Sequence, residues 1–446
     1  MQHAATDIRI QSPVAYTQPC TQGSTLTDSS MSTELSTSPR AQRALTQALW
    51  DIWFPRTAQS AGESGPKPAA LWARAIIWCG WPLLLALGYL VEVVANRRVT
   101  AQRRAPALSA ARVVSVGNAI VGGSGKTPAV LLLIDLLRAA GYSPGVVSRG
   151  YGRKSHEPVV VLQADRLAQL DAQSVGDEPW LIAWRSQAPV AVCQNRYQAA
   201  QALLAADPSI NVILLDDGMS QTTLRVDHHL MVLDQRGHGN QRCLPAGPLR
   251  MAWPGRPPEG LQIDAVLVRD PRLAIDDFFG QAAQQPKVLK PQTQVTGWYP
   301  LTDRSGPGTS ALSATATSSL ISAPPAAGAR LVLTTIANPS GFHGTLRQLG
   351  LNWDWQISLP DHSPTPWLAL DEALTGPAHG ADQLLMTEKD AVKFLSAPSQ
   401  LTGLNRRFSQ GVWVLRQDLQ LDPAQSGLLL DQLITLKGLR RGSQTA

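Results

Sequence analysis

Val113-Val114-Ser115-Val116-Gly117-Asn118-Ala119-Ile120-Val121-Gly122-Gly123-Ser124-Gly125-Lys126-Thr127-Pro128, followed by the largely apolar run from Ala129 to Leu137, reads as a strand, a glycine-rich loop and a helix. The β-branched run supplies the strand. The glycines let backbone N–H groups close on an anion, and Lys126 and Thr127 open a helix whose N-terminus favours negative charge. Lys126 is expected to reach the β- and γ-phosphates of a nucleotide, with Gly122, Gly123, Ser124 and Gly125 forming the cradle and the Thr127 hydroxyl ligating Mg²⁺. The pattern departs from G-x-x-x-x-G-K-[ST] at one place, because Ile120 stands where the first glycine belongs.

Downstream of the loop the alternation of strand and helix continues. Gly145–Ser148, Pro158–Leu162, Pro189–Cys193 and Asn211–Leu215 read as strands, and Glu178–Trp184 and Arg196–Ala205 as helices. Such alternation predicts a parallel doubly wound sheet, whose ligands gather at the carboxyl ends of its strands. Asp216-Asp217-Gly218 follows the apolar strand Val212-Ile213-Leu214-Leu215, where a P-loop enzyme keeps the acidic group that holds Mg²⁺. A plain turn of Asp and Gly explains the same residues when taken alone. Asp177, at the start of the Glu178–Trp184 helix, reads equally as a helix cap or as a site residue.

The 446 residues exceed a single-domain length, with 44% hydrophobic residues, 16% charged residues and a formal net charge of +6. That composition fits a globular protein with some membrane contact, not a multi-spanning one. Cys20, Cys79, Cys193 and Cys243 form no C-x-x-C pair, which indicates neither zinc nor a disulfide framework and suits a reducing compartment.

Residues 1–42 are rich in Ser, Thr and Gln and are expected to be a disordered tail without a signal peptide's apolar core. Ala44–Pro55 follows as a short helix, and then a Gly/Ser/Pro linker over Ala58–Pro68. Leu71–Ala95 is the most apolar stretch, interrupted by Arg74, Pro82 and Glu92. Pro82 and Glu92 favour a helix lying in the membrane interface over a full span. Arg97, Arg98, Arg103 and Arg104 suit an anionic lipid surface better than nucleic acid. Beyond the first sheet, Ile263–Arg269 reads as another strand and Lys287–Tyr299 as extended segments bridging two domains. Ser305–Gly328 is a low-complexity insert expected to be a surface loop. From Arg330 a second, smaller α/β unit begins, with strands near Leu331–Thr335, Trp353–Ile357, Leu384–Thr387 and Val412–Leu415. Thr387-Glu388-Lys389-Asp390 opens one of its helices in a capping arrangement.

Several stretches together resemble the tetraacyldisaccharide 4'-kinase (lipid A 4'-kinase) family. They are Val116-Gly117-Asn118 with the phosphate loop, Ser148-Arg149-Gly150-Tyr151-Gly152, Gly176-Asp177-Glu178-Pro179, Asp216-Asp217-Gly218 and Leu244-Pro245-Ala246-Gly247-Pro248-Leu249-Arg250. Ile336-Ala337-Asn338-Pro339, Pro360-Asp361-His362 and Thr387 through Lys393 complete the set in order, over about residues 70–435. The resemblance implies an enzyme on the cytoplasmic face of the inner membrane that moves the γ-phosphate of ATP to the 4'-hydroxyl of a tetraacylated glucosamine disaccharide 1-phosphate. It implies Asp177 as the base toward the sugar hydroxyl, His362 as its support, and Asp216 and Asp217 as the pair serving metal and phosphates. Met219, Ser220 and Gln221 replace the usual Phe-Gln-His, and Met251 the usual glutamate.

The resulting organisation is a tail (1–42), a membrane-associated helical region (43–104), a P-loop kinase domain (105–300), a low-complexity insert (301–329) and a smaller C-terminal α/β domain (330–446). The fold class is α/β: a P-loop NTPase-like doubly wound parallel sheet with a second, smaller α/β domain and an N-terminal membrane-associated helix. A membrane-bound P-loop ATPase or nucleotide switch shares the loop and anchor but needs no acceptor-sugar site. ATP consumption that depends on an added acylated disaccharide phosphate separates the two.

Overall fold

A computed structural model describes residues 39–54, 71–155, 157–163, 167, 170–253, 258, 261–270, 273, 285–301, 320–325, 328–336, 338–361, 363, 365–395 and 397–434. Most of the expected tail, the linker at 58–68, most of the low-complexity insert and His362 lie outside the described residues.

Two helices lead the chain, α1 (Pro39–Trp53) and α2 (Leu71–Arg104). The first sheet draws on β1 (Arg112–Gly117), β2 (Pro144–Ser148), β3 (Val160–Leu162), β4 (Val190–Val192), β5 (Val212–Asp216), β6 (His228–Leu233), β7 (Ala265–Val268) and β8 (Lys287–Leu289). Its helices are α3 (Lys126–Ala139), α4 (Ala172–Val175), α5 (Asp177–Ser186) and α6 (Arg196–Ala206). The spatial order is β3-β4-β2-β5-β1-β6-β7-β8, parallel except for β3 against β4. This is a doubly wound sheet with β1 and β5 at its centre. Their residues are buried on both faces, which is why Val212-Ile213-Leu214-Leu215 is continuously apolar rather than alternating.

The smaller unit contains β9 (Gln292–Pro300), β10 (Arg330–Thr334), β11 (Trp355–Ser358), β12 (Gln383–Thr387) and β13 (Val412–Gln420). Its helices are α7 (Pro339–Gln348), α8 (Pro366–Thr375), α9 (Glu388–Leu395), α10 (Pro398–Arg407) and α11 (Pro423–Ile434). The order is β11-β10-β12-β13-β9, with β9 antiparallel at the edge. Lys287–Pro300 bridges the two units: β8 closes the large sheet and β9, Gln292–Pro300, belongs to the small one.

The units share one continuous apolar core, which includes Leu133, Leu137, Ile182 and Trp184 of α3 and α5 and Leu331, Leu333 and Met386 of the second sheet. An ion cluster also joins them. Arg185 of α5 lies 2.9 Å from Glu388 at the start of α9 and also pairs with Asp418 of β13. The opposite face of the large sheet carries α6 and, elsewhere, the C-terminal part of α2, whose Ala95 and Val99 pack on Ile120, Met219 and Met231.

α2 runs unbroken through Pro82 for 34 residues, and Arg97 to Arg104 continue the same helix. From Arg74 to Arg104 it is long and apolar enough to cross a membrane, and little of its most apolar window is buried in the protein. Ile76, Trp78, Leu83, Tyr89 and Leu90 face outward, while Ile77 is covered by Ala48 of α1.

Removal of one partner from a buried ion cluster typically costs about 3–5 kcal/mol, because the charges left behind are uncompensated. Arg185→Ala is therefore expected to destabilise the protein by about that amount in urea unfolding, with Arg185→Ala/Glu388→Gln recovering part of the loss.

Candidate active site

The carboxyl ends of β1, β2, β5, β6 and β7 converge on the glycine-rich loop. Gly125 caps α3 in the left-handed conformation, at φ 84°, which glycine adopts without steric cost. Gly122 is also left-handed, at φ 88°. These two turns curl the loop around the first N–H groups of α3. Ser124 is buried and its Oγ has no hydrogen-bond partner. Lys126 Nζ lies 3.3 Å from Asn118 Oδ1 and 4.0 Å from Asp217. Thr127 is the second residue of α3, at the mouth of the same cradle. The loop thus has its curl and its lysine in place even though Ile120, fully buried against the sheet, occupies the first-glycine position.

The two aspartates after the central strand have different surroundings. Asp216 ends β5 and is buried; one carboxylate oxygen accepts from Ser148 Oγ at 3.2 Å and the other, Oδ1, has no partner. Burial, and then the negative charge of Glu178, push its carboxyl up to about 7. Asp217 adopts a left-handed φ of 53°, unusual for a residue with a side chain, which turns its carboxylate toward Arg250 at 3.0 and 3.2 Å. Burial opposes its ionisation, but Lys126 and Arg250 outweigh burial and hold it below the usual carboxylate range. Asp216 therefore has one oxygen without a partner, whereas both oxygens of Asp217 face Arg250.

Asp177 is the first residue of α5, with Gly176 rather than Asp177 as the cap. It interacts electrostatically with Lys393 of α9, whose ammonium sits 2.5 Å from Thr335 Oγ1 and 3.0 Å from the Ser363 carbonyl. Next to Asp177, Glu178 pairs with Lys389 at 3.1 Å, and Lys389 reaches Asp361 at 3.0 Å. The Pro360-Asp361 turn of the second unit is thereby tied to the start of α5. His362 itself lies outside the described residues. The capping arrangement at α9 is present: Thr387 Oγ1 donates to Asp390 at 2.6 Å, and the Asp390 N–H returns to Thr387 Oγ1 at 3.3 Å. Beside the end of β2, a cleft of about 430 Å³ opens between Arg149, Tyr151, Arg153 and Gln194.

Met219, one of the departures from the family pattern, is buried, and its side chain fills the space where a β-carbon on Gly117 would stand. Gln221 accepts the Thr223 and Leu224 N–H groups at 2.8 and 2.9 Å and so closes a turn. Met251 is core. Sequence reasoning did not single out Glu178, Lys389, Lys393, Ser148 or Arg250 for individual roles. All five stand inside the quoted motifs, but the partners of Lys389 and Arg250 lie 211 and 33 residues away.

A curled phosphate loop, a buried carboxylate at the neighbouring strand end and a second acidic residue at the start of a facing helix define a P-loop enzyme of the phosphoryl-transfer class. The family model for tetraacyldisaccharide-1-P 4'-kinase matches residues 80–435. The chain belongs to that family and is a kinase. It is 39% identical over 322 residues to the tetraacyldisaccharide 4'-kinase of Janthinobacterium sp. (strain Marseille), covering 72% of this chain and 82% of that one. It is 36% identical over 374 residues to that of Dechloromonas aromatica (strain RCB), covering 82% and 94%. The solved structure of LpxK from Aquifex aeolicus, an "apo" form in complex with ATP, shares the fold with a TM-score of 0.57 at 23% identity, covering 78% of this chain and 98% of that one.

The pH dependence of stability follows from Asp216. Its carboxyl holds a proton in the folded state up to about pH 7, whereas its ordinary value is 3.8, so folding stability falls as pH rises between these values. Without nucleotide or metal, Asp216→Asn is expected to melt higher than wild type, with an advantage that grows from pH 4 to pH 7 and then levels off. Thermal melts across that range measure it.

Proposed function

We propose that this kinase transfers the γ-phosphate of ATP to the 4'-hydroxyl of a tetraacylated glucosamine disaccharide 1-phosphate, in lipid A biosynthesis, on the cytoplasmic face of the inner membrane. The observation that carries the reading is the convergence of three features at one end of the large sheet: the phosphate loop, Asp216, and Asp177 on α5. The apolar helix α2 reaches the same place, since Gln102 Nε2 donates to the Gly218 carbonyl at 3.1 Å, directly after the two aspartates. The relatives, both tetraacyldisaccharide 4'-kinases, point to the acceptor, and the ATP of the Aquifex structure points to the donor.

In this reading the N–H groups around Gly122 to Gly125 and the start of α3 take the phosphates, and Lys126 leaves Asn118 for the β- and γ-phosphates. Mg²⁺, when bound, neutralises phosphate charge, and the Thr127 hydroxyl and Asp216 would hold it. The donor set fits: among the described residues no three His, Cys, Asp or Glu side chains form a cage, and Mg²⁺ usually takes one or two carboxylates with phosphates and water completing its shell. The open Asp216 oxygen favours an arriving cation, which displaces the proton that burial holds on that carboxyl. Asp217 contributes by holding Arg250 and facing Lys126, which keeps two positive charges beside the phosphates. Asp177 accepts the proton of the acceptor hydroxyl as its oxygen attacks the γ-phosphorus and ADP departs. His362 supports that base, and Lys393 favours its ionised form. The outward apolar face of α2 and its arginines hold these groups beside an anionic bilayer, where the acyl chains of the substrate reside.

Lys126→Ala is expected to remove most activity without unfolding the protein. Asp177→Ala is expected to lower kcat by about 10²–10⁴-fold with the KM for ATP nearly unchanged, since a base acts in the chemical step. Steady-state kinetics in mixed micelles make the comparison. An Asp177→Ala enzyme with normal kcat and weakened ATP binding would remove Asp177 from the base role.

A further inference from the structure

Arg236 follows β6 and reaches back across the phosphate loop. Its Nη1 donates to the Val121 carbonyl at 3.3 Å and its Nη2 to the Gly123 carbonyl at 2.8 Å. A trans peptide is planar, so the carbonyl of one residue and the N–H of the next point in opposite directions. Gripping the carbonyls of Val121 and Gly123 therefore turns the N–H groups of Gly122 and Ser124 away from the arginine, toward the concave side of the loop. The guanidinium lies so close over the loop that a β-carbon on Gly122 would stand 3.1 Å from Nη1.

The fork is itself fixed. Asp234, almost fully buried, receives Arg236 Nε at 3.0 and 3.1 Å and Nη2 at 2.7 Å. The Phe54 ring, just beyond α1, lies 5.9 Å from the guanidinium carbon. α1 and Phe54 precede the span matched by the family model, so in this chain a residue from outside that span packs against the one that grips the loop. Asp234 also attracts Arg269 after β7, which packs against Gly125 from the other end of the loop.

We propose that Arg236 is a positioning residue of the phosphate loop. Without touching the nucleotide, its fork orients the Gly122 and Ser124 peptides so that their N–H groups are preorganised for phosphate oxygens, and it thereby sets ATP affinity. This rests on the reading of Gly122 to Thr127 as the ATP site. Planarity of the fork is essential to it, because an ammonium cannot reach two carbonyls and a carboxylate in one plane.

Calorimetric titration of ATP with Mg²⁺ into the full-length protein tests the proposal, with wild type, Lys126→Ala, Arg236→Ala and Arg236→Lys compared. Losing two charge-assisted hydrogen bonds to the loop is expected to raise the Kd for ATP by about tenfold or more in Arg236→Ala. Arg236→Lys, which keeps charge and length and decides the matter should the alanine variant fail to fold, is expected to bind as weakly. The kcat at saturating ATP and the KM for the lipid acceptor are expected to stay within about twofold of wild type, a split that a general loss of structure does not produce. Wild-type affinity in Arg236→Lys, or in a folded Arg236→Ala while Lys126→Ala is impaired, would overturn the proposal alone. Failure of the wild-type protein to bind ATP would overturn the nucleotide site and the proposal with it.

Discussion

Two adjacent carboxylates at the end of one buried strand set the electrostatics of the whole site. Asp216 points into the protein beside Glu178 and is pushed toward neutrality, while Asp217 turns through a left-handed residue to meet Arg250 and Lys126 and stays ionised. Neighbouring residues of the same chemistry thus acquire opposite tendencies from their surroundings, a recurring device for dividing labour between two acids. The first keeps one oxygen without a partner, and the second holds Lys126 and Arg250 beside the phosphate loop. The parallel sheet makes this possible by bringing the ends of β1 and β5 side by side, with Val116 opposite Asp216 in register.

The two N-terminal helices are structurally continuous with that site. Gln102 near the end of α2 bonds the carbonyl of Gly218, Trp53 Nε1 at the end of α1 donates to the Pro245 carbonyl at 3.1 Å, and the Asn240 N–H donates to the Trp53 carbonyl at 2.7 Å. The loop held in this way, between β6 and β7, presents Arg236 to the phosphate loop and Arg250 to Asp217. Contacts of this kind fix the orientation of α1 and α2 relative to the site.

Much of this was legible in the chain because it is local. The strand, glycine loop and helix around Lys126 are contiguous, and Val212 to Asp217 declares itself as a buried strand followed by acids. β6 was not legible: it opens on His228 and His229, whose polarity interrupts the apolar signal, although parallel neighbours β1 and β7 bury the whole strand. Nor does local pattern reveal that Lys389 would meet Glu178, or that Arg236 would bond the carbonyls of Val121 and Gly123. Those partners are joined by topology across more than 100 residues, and periodicity carries no information at that range. α1 begins at Pro39, earlier than composition suggested, and its apolar stripe finds a partner in Ile77 and Trp81 of α2.

In this kinase phosphate leaves ATP for a lipid hydroxyl rather than for water. The most direct measurement is to incubate the purified protein with γ-labelled ATP, Mg²⁺ and a tetraacylated glucosamine disaccharide 1-phosphate in detergent micelles, then separate the lipid from the aqueous phase. Label is expected in the lipid at the 4'-position, with ATP consumption depending on the acceptor. Release of label as inorganic phosphate at the same rate with and without the lipid would contradict it and favour a membrane-bound ATPase.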